Sequence, residues 1–249
     1  EDSDASGNSL HTRVLCHSAV RKLRELAANT DTTVNDLCML AFIMELSAWS
    51  EDDPKKKPDY LFRILMPVSM RTPEHDRIAA ANVVSYVFLN QHRKDCENPQ
   101  ALLATIRQKT QNMVNRMEGI ALLQGLAIAR RIPFAFRISR MMQPEFATAV
   151  LGNVGDLRRL LENRFPLKNG RAVAGNVVIQ RIDGVAPVRR NTNITMTFGT
   201  YGGELILNLR SNPEVFSCED SQRLLSRVAT RIHKMAESGD PSASNTPHV

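Results

Sequence analysis

Along the chain the apolar positions recur with two periods, and each marks a kind of element. Residues 11–16 read as a short strand, and a helix follows over residues 18–29, with Val20, Leu23, Leu26 and Ala27 on one face. The run Thr33-Val34-Asn35-Asp36 opens the next helix with capping-box spacing, in which the Asp36 carboxylate accepts from the Thr33 amide. From Leu37 to Leu46 only Glu45 is charged, so this helix is expected to be enclosed on most sides. Residues 52–59 form a polar loop. Residues 60–66 and 83–90 are nearly all apolar and read as strands covered on both faces, with a loop between them that carries Pro67, Arg71, Pro73 and Asp76.

Asn98-Pro99 starts a further helix, with proline where a missing amide costs little. It runs through Leu103, Ile106, Met113 and Met117 and is expected to stop at Gly119. Residues 120–142 are apolar and helix-like but carry Arg130, Arg131, Arg137 and Arg140 and are broken by Pro133. Residues 147–150 and 173–182 are strand candidates, the second closed by the turn pair Asp183-Gly184. Residues 193–201 and 204–210 alternate around Gly202-Gly203 and predict a tight hairpin. The last helix begins with a second capping box, Ser217 to Asp220, and buries Leu224, Leu225, Val228 and Ile232. Long helices among mixed strands predict an α/β layered sandwich whose sheet is partly antiparallel. The polar, small-residue ends, 1–9 and 239–249, read as disordered tails around one folded unit, 10–238.

Composition excludes several classes. With 249 residues, 43% hydrophobic and 23% charged, the chain is neither disordered throughout nor a disulfide-dense miniprotein. The net charge of +6 is read as dispersed, favouring anionic partners in general and selecting none. Cys16, Cys38, Cys96 and Cys218 show no CxxC pairing, which fits unpaired thiols in a reducing, cytoplasmic setting. No run reaches the roughly 18–20 apolar residues of a membrane span, and the acidic start is unlike a signal peptide.

Candidate chemistry is sparse. No Walker loop, G-x-G-x-x-G or G-x-S-x-G is present, and no two histidines stand at i, i+4 around a glutamate, so no metal site is expected. None of His11, His17, His75, His92, His233 and His248 is placed by sequence beside a nucleophile. The arginines of residues 120–140 lack the interleaved aromatics of single-strand binders, so no nucleic-acid partner is expected. They fit either a solvated face of a packed helix or an amphipathic contact with an acidic membrane or lipid. Capping alone accounts for Asp36.

Four short segments in order resemble the C-terminal half of acyltransferases with the chloramphenicol-acetyltransferase-like fold, among them peptide-synthetase condensation domains and the wax ester synthase and diacylglycerol acyltransferase group. They are Thr33-Val34-Asn35-Asp36 before the buried helix, Met66-Pro67-Val68-Ser69-Met70-Arg71 ending a strand, Asn82-Val83-Val84-Ser85 opening the next, and Gly152-Asn153-Val154-Gly155 after another. The resemblance implies one half of a two-subdomain fold and carries substrate contact onto Asn35, Asp36, Ser69, Arg71, Asn82, Asn153 and Gly155. In that picture Thr195, on the hairpin strand with Thr197 and Asn193, borders the channel; the alternative is a sheet face in solvent or under a helix.

These families carry a His-His-x-x-x-Asp-Gly or His-x-x-x-Asp motif whose histidine is the general base. No histidine here has aspartate four residues on. The resemblance therefore implies an acyl group passing from a coenzyme A or carrier-protein thioester to an alcohol or amine, with no cofactor bound, no catalytic residue in this chain, and an N-terminal half or partner subunit that supplies the base. Such a half would leave an apolar face open, which predicts homodimers or poor solubility in isolation. The competing expectation is a non-catalytic module that binds a carrier protein, lipid or partner subunit.

Overall fold

Amphipathic helices need an apolar surface to lie on, and here it is one face of a six-stranded sheet. The computed structural model describes residues 10–51, 60–72, 74, 75, 83–114, 124, 125, 128, 129, 131, 147–162, 164–188 and 192–245. The strands are β1 (His11–Leu15), β2 (Leu61–Ser69), β3 (Val84–His92), β4 (Ala147–Asp156), β5 (Leu167–Lys168), β6 (Arg171–Ala174), β7 (Val177–Val178), β8 (Thr192–Tyr201) and β9 (Glu204–Ser211). The helices are α1 (His17–Asn29), α2 (Val34–Glu51), α3 (Pro99–Val114), α4 (Arg158–Leu161) and α5 (Cys218–Ser238). The large sheet runs β1-β9-β8-β4-β2-β3. Its centre is parallel, β4 pairing with β8 and β2, and its other pairs are antiparallel. This is the mixed α/β sandwich that the sequence predicts.

Alternation along the strands decides which side each residue serves. Ile64, Met66, Ala149, Leu151, Ile194, Met196, Leu207 and Leu209 pack with the apolar stripes of α1, α2, α3 and α5 in one core cluster. Helix α2 lies deepest, with Leu37, Leu40, Phe42 and Ile43 fully buried. The first predicted capping box forms in full, and at the second the Ser217 side chain caps the helix. Thr33 N donates to Asp36 Oδ2 at 2.9 Å while Asp36 N donates to Thr33 Oγ1 at 3.2 Å, and Ser217 Oγ accepts from Asp220 N at 3.0 Å. Gly202 and Gly203 take φ of 59° and 83°, the two positive values that a tight hairpin turn requires.

Glu45 is fully buried in α2. Its carboxylate accepts from Arg231 Nε at 2.5 Å, Arg227 Nε at 2.7 Å and Asn245 Nδ2 at 2.8 Å. That network alters one expectation. Residues 239–245, which composition reads as a tail, turn back along α5: Arg231 Nη1 donates to the Ala243 carbonyl at 3.0 Å, and Ala243 packs on the core. Buried charge recruits the polar segment as a hydrogen-bond partner.

Three strand expectations change. Strand β2 continues through Pro67 to Ser69, because its antiparallel partner β3 carries the ladder on, Pro67 opposite Tyr86 and Ser69 opposite Val84. Strand β4 extends to Asp156 and includes the Gly152–Gly155 segment expected after it. The strand expected over 173–182 is cut at Ala174: β6 and β7 are a small hairpin with Gly175 at φ 63°, and residues 179–188 are irregular. The predicted stop at Gly119, the loop at 52–59, the tail at 1–9 and most of 120–142 lie outside the described residues.

Strands β5, β6 and β7 with α4 form a small lobe, residues 157–188, against the second face of the large sheet. Tyr201, buried, fastens it: the phenol accepts from Ala172 N at 2.9 Å and donates to the Ile179 carbonyl at 2.9 Å. Tyr201→Phe is expected to destabilise the protein by about 1–3 kcal/mol, since the buried Ala172 amide and the half-buried Ile179 carbonyl lose their partner. Urea unfolding checks it, and a change within error would show that the lobe is held otherwise.

Candidate functional site

The seam between β2 and β4 is short. Its register is two pairs, Ile64 with Ala149 and Leu65 with Val150. Arg63 N points across the seam, donating to Thr148 Oγ1 at 3.1 Å, so by alternation the nitrogens of 65 and 67 face β4 as well. Residue 67 is proline and has no hydrogen to give. Regular pairing of β2 with β4 ends before that position, although Pro67 still lies beside Gly152. The opening is a pocket of about 40 Å³ lined by Asn35, Met66, Pro67, Leu151, Asn153 and Phe198, with room for a water-sized group.

Next to it, at the carboxyl ends of β4 and β8, lies a cleft of about 200 Å³ bordered by Arg24, Asn35, Asn153, Gly155, Asp156 and Thr200. Its polar edge is built from a bulge. Pairing of β4 with β8 slips between Asn153 and Gly155, and Gly155, at φ 70°, donates its amide to Asn153 Oδ1 at 2.7 Å. Asn153 Nδ2 in turn donates to Asn35 Oδ1 at 3.0 Å. The bulge needs Gly199 on β8, where a Cβ would land on Val154 Cγ2 and 3.0 Å from the Gly155 carbonyl oxygen. The linked carboxamides keep donors and acceptors for an amide-bearing ligand.

The structure thus joins Asn35, Asn153 and Gly155, links Asp36 to them from below through Asn35 Nδ2 donating to Asp36 Oδ1 at 3.4 Å, and sets the other described candidates apart. Asp36 is fully buried beneath them, its carboxylate accepting from Thr33 N, Thr33 Oγ1 and Thr110 Oγ1 within 2.9 Å, with Arg107 Nη1 at 3.6 Å. Cys38 lies behind it; burial and then the Asp36 charge push its thiol up to about 12. Ser69 and Arg71 are exposed beyond Pro67, with Arg71 N donating to Ser69 Oγ at 3.4 Å. Asn82 lies outside the described residues. Thr195, fully buried, alternates with Ile194 and Met196, so the sheet stands between it and the cleft. Thr197, on its side, donates to the Gly184 carbonyl, so what lies over this face there is an irregular segment of the lobe and not a helix.

Electrostatics at the rim centre on Asp156. Hydrogen bonds from the Arg158 side chain, ahead of smaller effects, hold its carboxyl below the usual carboxylate range. Because the folded value is depressed, this pair stabilises above the unfolded pKa of about 3.9 and is lost as pH falls through the folded value. Arg158→Ala is expected to move the Asp156 titration upward toward that ordinary value, as read by carboxyl-carbon NMR; an unmoved midpoint would assign the depression elsewhere. No histidine borders either opening among the described residues. None of the cysteines is in a disulfide, and no three metal-ligating side chains cluster among the described residues. Sequence patterning missed Gly199, Arg24 and Asp156; the break in threonine alternation at 199 was the available signal for the first.

No protein-family model matches the sequence, and no curated protein sequence matches it. Solved structures do match in fold. The first condensation domain of the CDA synthetase aligns with a TM-score of 0.59 at 14% identity, covering 98% of this chain and 48% of that one. The EpoB cyclization-docking bidomain of a nonribosomal peptide synthetase from Sorangium cellulosum gives 0.61 at 14%, covering 92% and 42%. A structure from the enacyloxin polyketide synthase, described for condensation domain-mediated chain release, gives 0.53 at 14%, covering 98% and 43%. The fold is that of condensation domains, the chloramphenicol-acetyltransferase-like fold, and the chain spans about half the length of these structures.

Proposed function

We propose that this chain is the C-terminal half of a condensation-type acyltransferase, furnishing one wall of the channel in which an acyl thioester meets an alcohol or amine. The observation that carries the reading is the linked Asn35–Asn153 pair at the carboxyl ends of the parallel strands, beside the small pocket where regular pairing of β2 with β4 has ended. In a half-length condensation fold this edge faces where a second half would pack. Carboxamides there suit the amide groups of a pantetheine arm, whether carried by coenzyme A or by a carrier protein. The chain itself brings no base: the His-x-x-x-Asp pattern is missing. Its part is to bind and orient.

Thioester cleavage assayed with this chain alone is expected to stay at background. Adding a half that bears the histidine motif is expected to raise the rate by about 10²–10⁴, the usual contribution of a positioned general base. Robust turnover by the chain alone would overturn the missing-base reading. Carrier or coenzyme A binding with no turnover in the mixture would favour the non-catalytic module, which the missing motif also fits.

A further inference from the structure

Capping explains one oxygen of the Asp36 carboxylate. Oδ2 accepts from Thr33 N at 2.9 Å and from Thr33 Oγ1 at 2.8 Å, which is the capping box itself. Oδ1 serves other residues: it accepts from Thr110 Oγ1 of α3 at 2.8 Å and from Asn35 Nδ2 at 3.4 Å. The expectation that capping alone accounts for Asp36 leaves this second oxygen out.

Asn35 Nδ2 is the last donor in a line of hydrogen bonds that all run one way. Gly155 N donates to Asn153 Oδ1 at 2.7 Å, Asn153 Nδ2 to Asn35 Oδ1 at 3.0 Å, and Asn35 Nδ2 to Asp36 Oδ1, with Met39 Sδ a second acceptor for that nitrogen at 3.4 Å. A carboxamide has nearly the same shape either way round, so its neighbours decide which end is oxygen. At the two ends of this line there is no choice, because a backbone amide only donates and a carboxylate only accepts. Flipping either asparagine would set nitrogen against nitrogen and oxygen against oxygen. Asn153 and Gly155 are exposed, so water can replace the contact at that end. Asp36 is fully buried, and its end has no such substitute.

We propose that Asp36 is a positioning residue for the cleft: its carboxylate holds Asn35, and through it Asn153, so that the remaining Asn153 Nδ2 hydrogen is offered to a carbonyl oxygen of the ligand. Asn35 Nδ2 spends both hydrogens on Asp36 and Met39, whereas Asn153 Nδ2 spends one and lines both openings. Resting on the channel reading above, this makes Asn153 a donor, matched to the C=O of an amide or thioester and not to an N–H.

Asp36→Asn separates this role from capping. The Thr33 amide still requires an oxygen, so the new carboxamide sets its nitrogen in the place of Oδ1, opposite Asn35 Nδ2. The cap is kept and the polarity of the line is opposed. Thr33→Ala does the reverse, weakening the cap and leaving the line. In the nitrogen-labelled full chain, Asp36→Asn is expected to shift the side-chain NMR signals of Asn35 and Asn153 and the amide signal of Gly155. Pantetheine, the probe ligand, is expected to bind that variant about 10-fold more weakly, the effect of one hydrogen bond. Thr33→Ala is expected to lower the melting temperature with those signals and the pantetheine affinity unchanged. Asn35→Ala, which spares the buried carboxylate, is expected to displace Asn153 and Gly155 as Asp36→Asn does, and it carries the test should Asp36→Asn not fold. Unmoved Asn153 and Gly155 signals in either variant, or equal movement in Thr33→Ala, overturn the inference. A parent chain that does not bind pantetheine overturns the channel reading instead, and the signals still decide the part of Asp36.

Discussion

Glu45→Ala is expected to lower stability by about 3–5 kcal/mol, the range for breaking a buried ion pair by removing one partner. The reason is geometric. Arg231 is 5% exposed, so without the carboxylate its guanidinium keeps the Ala243 carbonyl and little else to offset desolvation. Arg227 and Asn245 lose a partner at the same stroke. The urea midpoint should fall at unchanged slope, which separates lost stability from an altered unfolded state. A double variant, Glu45→Met with Arg231→Met, is expected to recover much of the loss, because an apolar pair of similar volume needs no solvation. A single variant within about 1 kcal/mol of the parent protein would show that α2 and α5 are held by their apolar contacts alone.

Gly199→Ala is expected to have the larger functional effect. The new methyl would strike the Val154 side chain and crowd the Gly155 carbonyl, so the bulge must shift and carry Asn153 away from Asn35. Overpacking of this kind costs about 1–3 kcal/mol, while a displacement of about 1 Å at a positioning group can cost about 10² in rate. In an assay of the two-half enzyme proposed above, kcat/KM for the thioester should fall by about 10² with a melting temperature only modestly reduced. Asn153→Ala, which removes the carboxamide and leaves the backbone, should reproduce the loss in kcat/KM without the change in stability. Unaltered kinetics in both variants would remove the Asn35–Asn153 edge from the mechanism.

Much of the fold was legible because its signals are local. Apolar spacing in α1 and α5, Ser217 and Thr33 at their caps, and two glycines between alternating strands are each fixed by residues a few positions apart. The misread strands depended on distant partners. Pro67 reads as loop until β3 is placed beside it, and residues 173–182 read as one strand because a hairpin of two short strands has the same alternation as a long one. The site was legible in part for the same reason. The short motifs found Asn35, Asn153 and Gly155, whose meeting joins residues 118 positions apart. Asp36 shared a motif with Asn35, yet one step along a helix turns a side chain from the cleft to the interior. Glu45, the lone charge in an apolar helix, was not read as paired, because its partners Arg227 and Arg231 lie in α5, more than 180 positions away.

The two-pair seam divides the six strands into a block of four and a block of two. The pairings on either side are longer, with one bulge between β4 and β8, and a single core cluster underlies both blocks, so packing beneath the sheet carries what the short seam does not. The width of the crevice at the seam therefore rests on side chains of the core more than on backbone pairing. Repacking beneath β2 and β3 is the change expected to alter it.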